Sequence, residues 1–393
     1  MILLSIETSC DETAVSVVKR VRGKTVRFEV LSHKVLSQVD LHAQYGGVFP
    51  ALAKREHAKA LTQLVAEALD EAELLVERTH VHHIPHSDRK KLETLLTREP
   101  EMLQAMKVLF EGVQKPAIDA IAVTMGPGLE PALWVGINGA LALHTVWGIP
   151  LYPINHMEGH IVASTLSVQD GVYEIPTFPL PACALLISGG HTEIVRMPKW
   201  RSYKILGKTK DDAVGEAFDK VARLLDLPYP GGPEISRLAE HARKEGIVVD
   251  EDLRLPRPMI HSGDLHFSLS GLKTAVLTRV NKRKPLDEKT KKMIALEFEN
   301  AVTDVLVSKV KQAMYETRAL SLIVGGGVSA NTHIRFALKQ LADTEGFTLF
   351  IPDRQLSTDN GLMIASAGLL HLAHDVKPKV KLVANGSWSL EDC

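Results

Sequence analysis

Two stretches of this chain share one form, and few folds accommodate both. Residues 2–6 are a short apolar run, the polar turn Glu7-Thr8-Ser9-Cys10-Asp11-Glu12-Thr13 follows, and residues 14–18 are again strand-like. Far along the chain, residues 183–187 run into Ser188-Gly189-Gly190-His191 and then into the alternating residues 192–195. Each is an apolar strand, a small polar turn and a second strand, which is the pattern of a hairpin. Each also opens one half of a chain of 393 residues, long enough for two separate cores. A duplicated α/β architecture is therefore expected.

The rest of the chain fits around these hairpins. A third strand is expected near 26–32. Leu61, Leu64, Val65, Ala68, Leu69, Ala72 and Leu75 keep a 3.6-residue period and predict a long helix. Residues 78–115 change character: a histidine-rich run from Arg78 to His86 precedes a charged, helix-prone segment. They read as a solvated insertion without chemistry. A strand at 119–124, the turn Met125-Gly126-Pro127-Gly128-Leu129 and a helix over 135–147 follow, then a strand at 151–154. The proline-rich stretch EIPTFPLPA (174–182) reads as the crossing between halves. In the second half, residues 203–207 read as a strand and 211–223 as a helix capped by Asp211 and Asp212. Residues 293–318 read as a long amphipathic helix, 321–324 and 347–351 as strands, and 362–374 as a last helix. The expected division is 1–175, 176–355, and a C-terminal segment 356–393 returning to the first lobe.

Composition narrows the function. With 46 basic and 47 acidic residues the net charge is −1, so no global basic field marks a nucleic-acid binder, and an RNA partner would need a local patch. Arg279-Val280-Asn281-Lys282-Arg283-Lys284 is the best candidate for one. Three widely spaced cysteines, Cys10, Cys183 and Cys393, argue for a reducing compartment. The N-terminal residues lack the pattern of a signal peptide, and no apolar run approaches the ~20 residues a membrane helix needs. A cytoplasmic protein with no membrane partner is expected.

Asn155-His156-Met157-Glu158-Gly159-His160 carries the clearest chemical pattern. Histidines four apart share one helix face, the spacing for two imidazoles to grip one metal ion. The zinc-protease pattern H-E-x-x-H is absent, because Glu158 follows the first histidine by two places. Asp359, beside the start of the last helix, is a possible third ligand, although helix capping also accounts for an aspartate there. Glycine turns at 188–191, 229–233 and 325–327 can direct backbone N–H groups onto phosphate. No Walker lysine accompanies the 125–129 turn, and the first hairpin lacks the glycine of a D-x-G-x-T phosphotransferase turn.

Taken together, SIETSCDET (5–13), HAQYGGVFPALAKREH (42–57), VTMGPGL (123–129), NHMEGH (155–160), LLISGGHTEIV (185–195), DDAVGEAFDKVARLL (211–225), YPGGP (229–233), FSLSGLKT (267–274), GGGVSAN (325–331) and STDNGLMIA (357–365) resemble the TsaD-type tRNA N6-adenosine threonylcarbamoyltransferases, in family order and nearer the bacterial branch. The resemblance implies the duplicated fold of actin, Hsp70 and the sugar kinases, with two lobes and a central cleft. It implies that His156, His160 and Asp359 hold one divalent metal per subunit, usually iron, with zinc also reported. It further implies that Ile187, Ser188, Gly189, Gly190 and His191 surround the acyl donor threonylcarbamoyl-adenylate, that Asp219 and Gly232 meet its ribose and neighbouring groups, and that Asn331 contacts the nucleotide. The acceptor would be N6 of the adenosine 3′ of the anticodon in tRNAs reading codons that begin with A, with AMP released. Asp11 and Glu12 are the candidates for taking the amine proton. Companion subunits, a TsaB-like paralogue and a TsaE-like ATPase, are expected. Two departures from the family pattern stand out: the long segment 78–115 and the bulky Trp134 in GLEPALWVG (128–136).

Overall fold

The structure is a computed structural model that describes residues 1–80 and 82–393; Val81, within the histidine-rich run, lies outside the described residues. The chain divides into two compact units, Met1–Thr177 with Asp359–Asp392, and Phe178–Thr358.

In the first unit, β1 (Ile2–Glu7) and β2 (Glu12–Val21) form an antiparallel hairpin, and β3 (Val26–Ser37) adds antiparallel to β2. A short helix α1 (Val39–Ala43) leads to α2 (Pro50–Glu71), which starts with Pro50 where its missing N–H costs nothing. After α3 (His86–Leu95) and α4 (Pro100–Gly112), β4 (Ala120–Gly126) lies parallel to β1. Helix α5 (Glu130–Trp147) ends on Gly148, whose φ of 67° is the left-handed cap glycine favours. Then β5 (Leu151–Asn155) pairs parallel to β4 and passes directly into α6 (His156–Ser164). The small strands β6 (Ser167–Gln169) and β7 (Val172–Ile175), which periodicity does not reveal, extend the sheet to the order β5-β4-β1-β2-β3-β7-β6.

The second unit repeats the central pattern. Strands β8 (Ala182–Ile187), β9 (Thr192–Lys199) and β10 (Ser202–Lys208) form an antiparallel meander. Helices α7 (Val214–Leu224), α8 (Gly231–Lys244), α9 (Ser270–Arg283) and α10 (Glu288–Thr317) follow. After them β11 (Ser321–Gly325) lies parallel to β8, and beyond α11 (Thr332–Glu345) β12 (Thr348–Phe350) lies parallel to β11. The order β10-β9-β8-β11-β12 matches β3-β2-β1-β4-β5 strand for strand, in pairing sense as well as position. The duplication expected from two hairpins is present in full. After the short α12 (Arg354–Ser357), α13 (Gly361–Ala373) belongs to the first unit.

Three local readings are corrected. The segment 78–115 is not merely solvated: Leu92, Leu96, Met102, Met106, Leu109 and Phe110 are buried in the same core as Leu61 and Leu69. Phe110 also meets Trp147 edge to face at 5.2 Å. Each such side chain stabilises the unit by roughly 1.5–3 kcal/mol, and the charges that made the segment look soluble occupy its opposite face. Asp211 does not cap α7, whose N-cap is Ala213; it accepts the N–H of Leu269 (2.7 Å) and Ser270 (3.3 Å), and so caps α9. Helix α10 is less one-sided than an amphipathic helix: along with its apolar residues it buries Glu297, Glu299 and Lys309. Those charges are paired, Glu297 with Arg254 and Arg257, Glu299 with Arg243, as burial requires.

Candidate metal centre and nucleotide turn

Asn155 ends a buried strand and caps the next helix, its side chain accepting the N–H groups of Met157 and Glu158 at 2.9 and 3.3 Å. The cap fixes where α6 begins, and so presents His156 and His160 on one face, ring centroids 4.7 Å apart. Asn360 caps α13 in the same way, accepting from Met363 N–H, which leaves Asp359 one place outside the helix. The Asp359 carboxylate stands 3.1 Å from His160 Nε2 and 3.5 Å from His156 Nε2. One donor atom from each of the three residues lies within 4.8 Å of the others, and both histidines are buried while Asp359 keeps some exposure.

Behind this triad lies a second set of residues that spacing did not identify. His156 Nδ1 meets Ser9 Oγ at 3.0 Å and Glu7 Oε2 at 3.2 Å. Glu7 has no exposure, and it also accepts Thr124 Oγ1 and Ser9 N–H. A carboxylate behind a histidine fixes the ring and raises its basicity, leaving Nε2 for a metal. Burial works against charging His156, but Asp359 and Glu7 outweigh it and raise its pKa to about 9. A cation between the rings would take the place of that proton. The donor chemistry fits a divalent metal: two imidazoles and one carboxylate leave coordination positions open, as a catalytic site needs. The available signal for Glu7 was an acid closing an otherwise apolar strand.

Glu158 points elsewhere. It is fully buried and accepts His371 Nε2 of α13 at 2.7 Å. It is therefore tied up as a structural partner. His57 is also a structural residue: its Nε2–H donates to the Cys10 carbonyl at 3.0 Å and its Nδ1 accepts Thr13 Oγ1 at 2.7 Å.

Asp11 and Glu12 lie on the same turn as Ser9. Burial, followed by the charges of Asp359 and Asp11, raises the Glu12 pKa to about 10, so it is protonated at neutral pH while no cation balances Asp359.

In the second unit, the structure groups most of the expected nucleotide residues at the carboxyl ends of β8 and β11, the edge where open α/β sheets bind ligands. Ser188 N–H donates to the His191 carbonyl at 2.9 Å and His191 N–H to Ser188 Oγ at 3.0 Å. Those bonds use two donors of the expected nest and leave Gly189 and Gly190 as the turn's remaining backbone donors. Gly326 has φ 90° and sits against the Ile187 backbone, where a side chain would not fit. Gly215, on the first turn of α7, packs as closely on Ser188 and Gly189. Asp219 of α7 accepts Gly231 N–H at 2.7 Å, fixing the first turn of α8, which carries Gly232, and Gly189, Gly190 and Gly232 all face open space. Asn331 caps α11 through Ile334 N–H and donates to Ser236 Oγ and Glu299 Oε1, both at 2.7 Å. In the basic run, Arg283 is committed to Asp250 and Asp252, whereas Lys282 and Lys284 are exposed.

The model of the TsaD family, tRNA N6-adenosine threonylcarbamoyltransferase, matches residues 29–84 and 99–366. A tRNA N6-adenosine threonylcarbamoyltransferase of Burkholderia mallei is 43% identical over 379 residues, covering 95% of this chain and 93% of that protein. This chain belongs to that family. A threonylcarbamoyltransferase of Nitrosospira multiformis is 40% identical over 394 residues, covering all of this chain and 98% of its own. Residues 85–98, which hold the whole of α3, fall outside the threonylcarbamoyltransferase match. Among solved structures, full-length HypF in its phosphate- and nucleotide-bound form aligns with a TM-score of 0.50 at 11% identity, over 95% of this chain and 46% of HypF. That likeness concerns the fold alone. Among the described residues, no helix is long and apolar enough to cross a membrane.

Proposed function

We propose that the protein transfers the threonylcarbamoyl group of threonylcarbamoyl-adenylate to N6 of the adenosine 3′ of the anticodon in tRNAs that read codons beginning with A. The observation that carries this reading is the His156, His160 and Asp359 triad within a family match over residues 29–84 and 99–366. In the reaction a bond forms between N6 and the carbamoyl carbon, the bond from that carbon to the phosphate oxygen breaks, AMP leaves, and N6 loses one proton. His156, His160 and Asp359 are assigned one divalent metal per subunit, iron first and zinc as the alternative. Such an ion supplies Lewis acidity toward a substrate oxygen.

Ile187, Ser188, Gly189, Gly190 and His191 are assigned the adenylate. Supporting this are the two glycines facing open space and their backbone donors, which suit charge on phosphate. Asp219, Gly232 and Asn331 complete the assignment, Asp219 and Asn331 by fixing the starts of α8 and α11 as much as by contact. Asp11 and Glu12 are assigned the proton leaving N6. Cys10, Cys183 and Cys393 are not joined in a disulfide, in keeping with a cytoplasmic location. A TsaB-like paralogue and a TsaE-like ATPase are the proposed companions.

The test is reconstitution with those companions, unmodified tRNA and threonylcarbamoyl-adenylate, with the product nucleoside read by mass spectrometry. Formation of the modified adenosine supports the reading, and its absence with a complete partner set refutes it. Elemental analysis of His160→Ala and Asp359→Ala should show metal lost from both; a metal-replete variant would overturn the ligand set.

A further inference from the structure

Tyr45 and Phe49 are large aromatic residues that the fold leaves in solvent, 63% and 54% exposed. They are not loose. Their rings stack on each other, centroids 6.2 Å apart and planes 24° apart. Between them Gly46 and Gly47 take φ values of 68° and 155°, a backbone path that brings residue 49 back beside residue 45.

A buried chain of hydrogen bonds holds this loop. Phe49 N–H donates to His42 Nδ1 at 3.3 Å, so the proton of that ring is on Nε2, which faces Gln38 Oε1 at 3.2 Å. His42 has no exposure, and Gln38 is buried too. Gln38 N–H donates to the Asp11 carbonyl at 3.0 Å, and the neighbouring Ser37 Oγ donates to Glu12 Oε1 at 3.3 Å. The Gln38 amide also reaches His57, which is bound to the Cys10 carbonyl. The exposed rings are thus tied, bond by bond, to the turn that carries Asp11 and Glu12 and supports the metal triad through Ser9.

Exposing two aromatic rings forgoes their burial, and a buried polar network that immobilises them indicates a surface made ready in advance. Chemistry on a nucleobase requires that base to be unstacked, and single-stranded RNA is gripped by aromatic faces. We infer that Tyr45 and Phe49 form a stacking platform for an unpaired base of the RNA substrate's anticodon loop, next to the reacting adenosine. This rests on the acyl-transfer reading above. Val35 and Leu36 are exposed as well, so a companion protein is the competing occupant, and the test separates the two.

The probe is an anticodon stem-loop RNA carrying 2-aminopurine, in separate samples, at the position 3′ of the anticodon and at each of its neighbours. Full-length protein is titrated in without acyl donor, so the result does not depend on product formation. Stacking on Tyr45 quenches the fluorophore. Tyr45→Leu and Phe49→Leu, which keep apolar bulk but remove a ring, should each weaken binding roughly 5- to 100-fold and relieve the quench. Tyr45→Trp should restore both. Unaltered circular dichroism and melting would show that the leucine variants are folded. If they bind the stem-loop like the parent, or bind weakly with the quench intact, the platform is refuted. Loss of companion-subunit binding with unchanged RNA affinity would refute it in favour of a protein contact. Because RNA binding is read directly, these outcomes stay distinct from a failure to form the modified nucleoside.

Discussion

Replacing His371 with leucine tests whether the pair it makes with Glu158 holds the metal helices in register. Glu158 stands between His156 and His160 on α6, and His371 lies on α13, the helix that follows Asp359. The bond is 2.7 Å long, with side-chain exposures of 6% for His371 and 0% for Glu158, so solvent screening offers no discount. Leucine fills much of the space but donates nothing. Removing one partner from a buried pair costs ~3–5 kcal/mol. At about 2–4 °C per kcal/mol for a unit of this size, the melting temperature should fall on the order of 10 °C. Adding Glu158→Gln should recover ~1–2 kcal/mol, because a neutral amide is cheaper to leave without its partner than a carboxylate. The assay is thermal unfolding of the four proteins of the double-mutant cycle, with metal content measured on each. A His371→Leu protein that melts within about 2 °C of the parent and keeps its metal would refute the argument. So would a double variant no more stable than the single one.

Burial lowers the His57 pKa below 6.5, with the Cys10 carbonyl and the charges of Glu7 and Asp11 only partly offsetting it. The folded ring resists a proton that the unfolded ring accepts, so stability should fall as pH drops through 6.5; urea midpoints at pH 7.5 and 5.5 should diverge more in the parent than in His57→Asn, and equal divergence would refute this. Gly126→Ala should cost at least ~2 kcal/mol, because the residue has φ 154° and a Cβ would overlap the Asn385 carbonyl. Protease sensitivity near residues 385–388 would report the displaced tail, and an unchanged digest would count against it. With Arg283 occupied by Asp250 and Asp252, Lys282→Ala with Lys284→Ala should lower the salt slope of tRNA binding by about 1.5; an unchanged slope would remove the basic run from the RNA surface.

The parts of this fold that could be read from the sequence are those whose cause is local. Both hairpins were legible because each strand run and its turn are contiguous, and the matching sheet orders follow from them. The triad was partly legible: an i, i+4 histidine pair is a local pattern, whereas Asp359 was one possible ligand, equally explained by helix capping, until the resemblance assigned it. Glu7 and the partner of Glu158 were not legible, since their roles depend on residues 149 and 213 places away. The segment around α3 and α4 was misread for another reason. Its charges dominate the composition, yet Met102, Met106, Leu109 and Phe110 keep helical spacing, and burial follows spacing rather than average polarity.

Glycine in mid-helix costs about 1 kcal/mol relative to alanine, so Gly136 in α5 needs a reason. A Cβ there would collide with Thr8 Oγ1, which donates to the Ala132 carbonyl at 3.0 Å. Thr8 belongs to the same hairpin end as Glu7 and Ser9, which orient His156, and as Cys10 and Asp11, whose carbonyls anchor His57 and Gln38. The turn therefore fixes α6 and α2 and lies directly on α5. Small residues on α5 are what allow it to come that close. Its hydroxyl and carboxyl side chains are mainly buried inside the protein, so this acidic, hydroxylic stretch is the wiring of a buried junction. Asp11 and Glu12, at its far end, share that junction, and a substitution that loosens it should disturb metal retention and the Tyr45–Phe49 loop together.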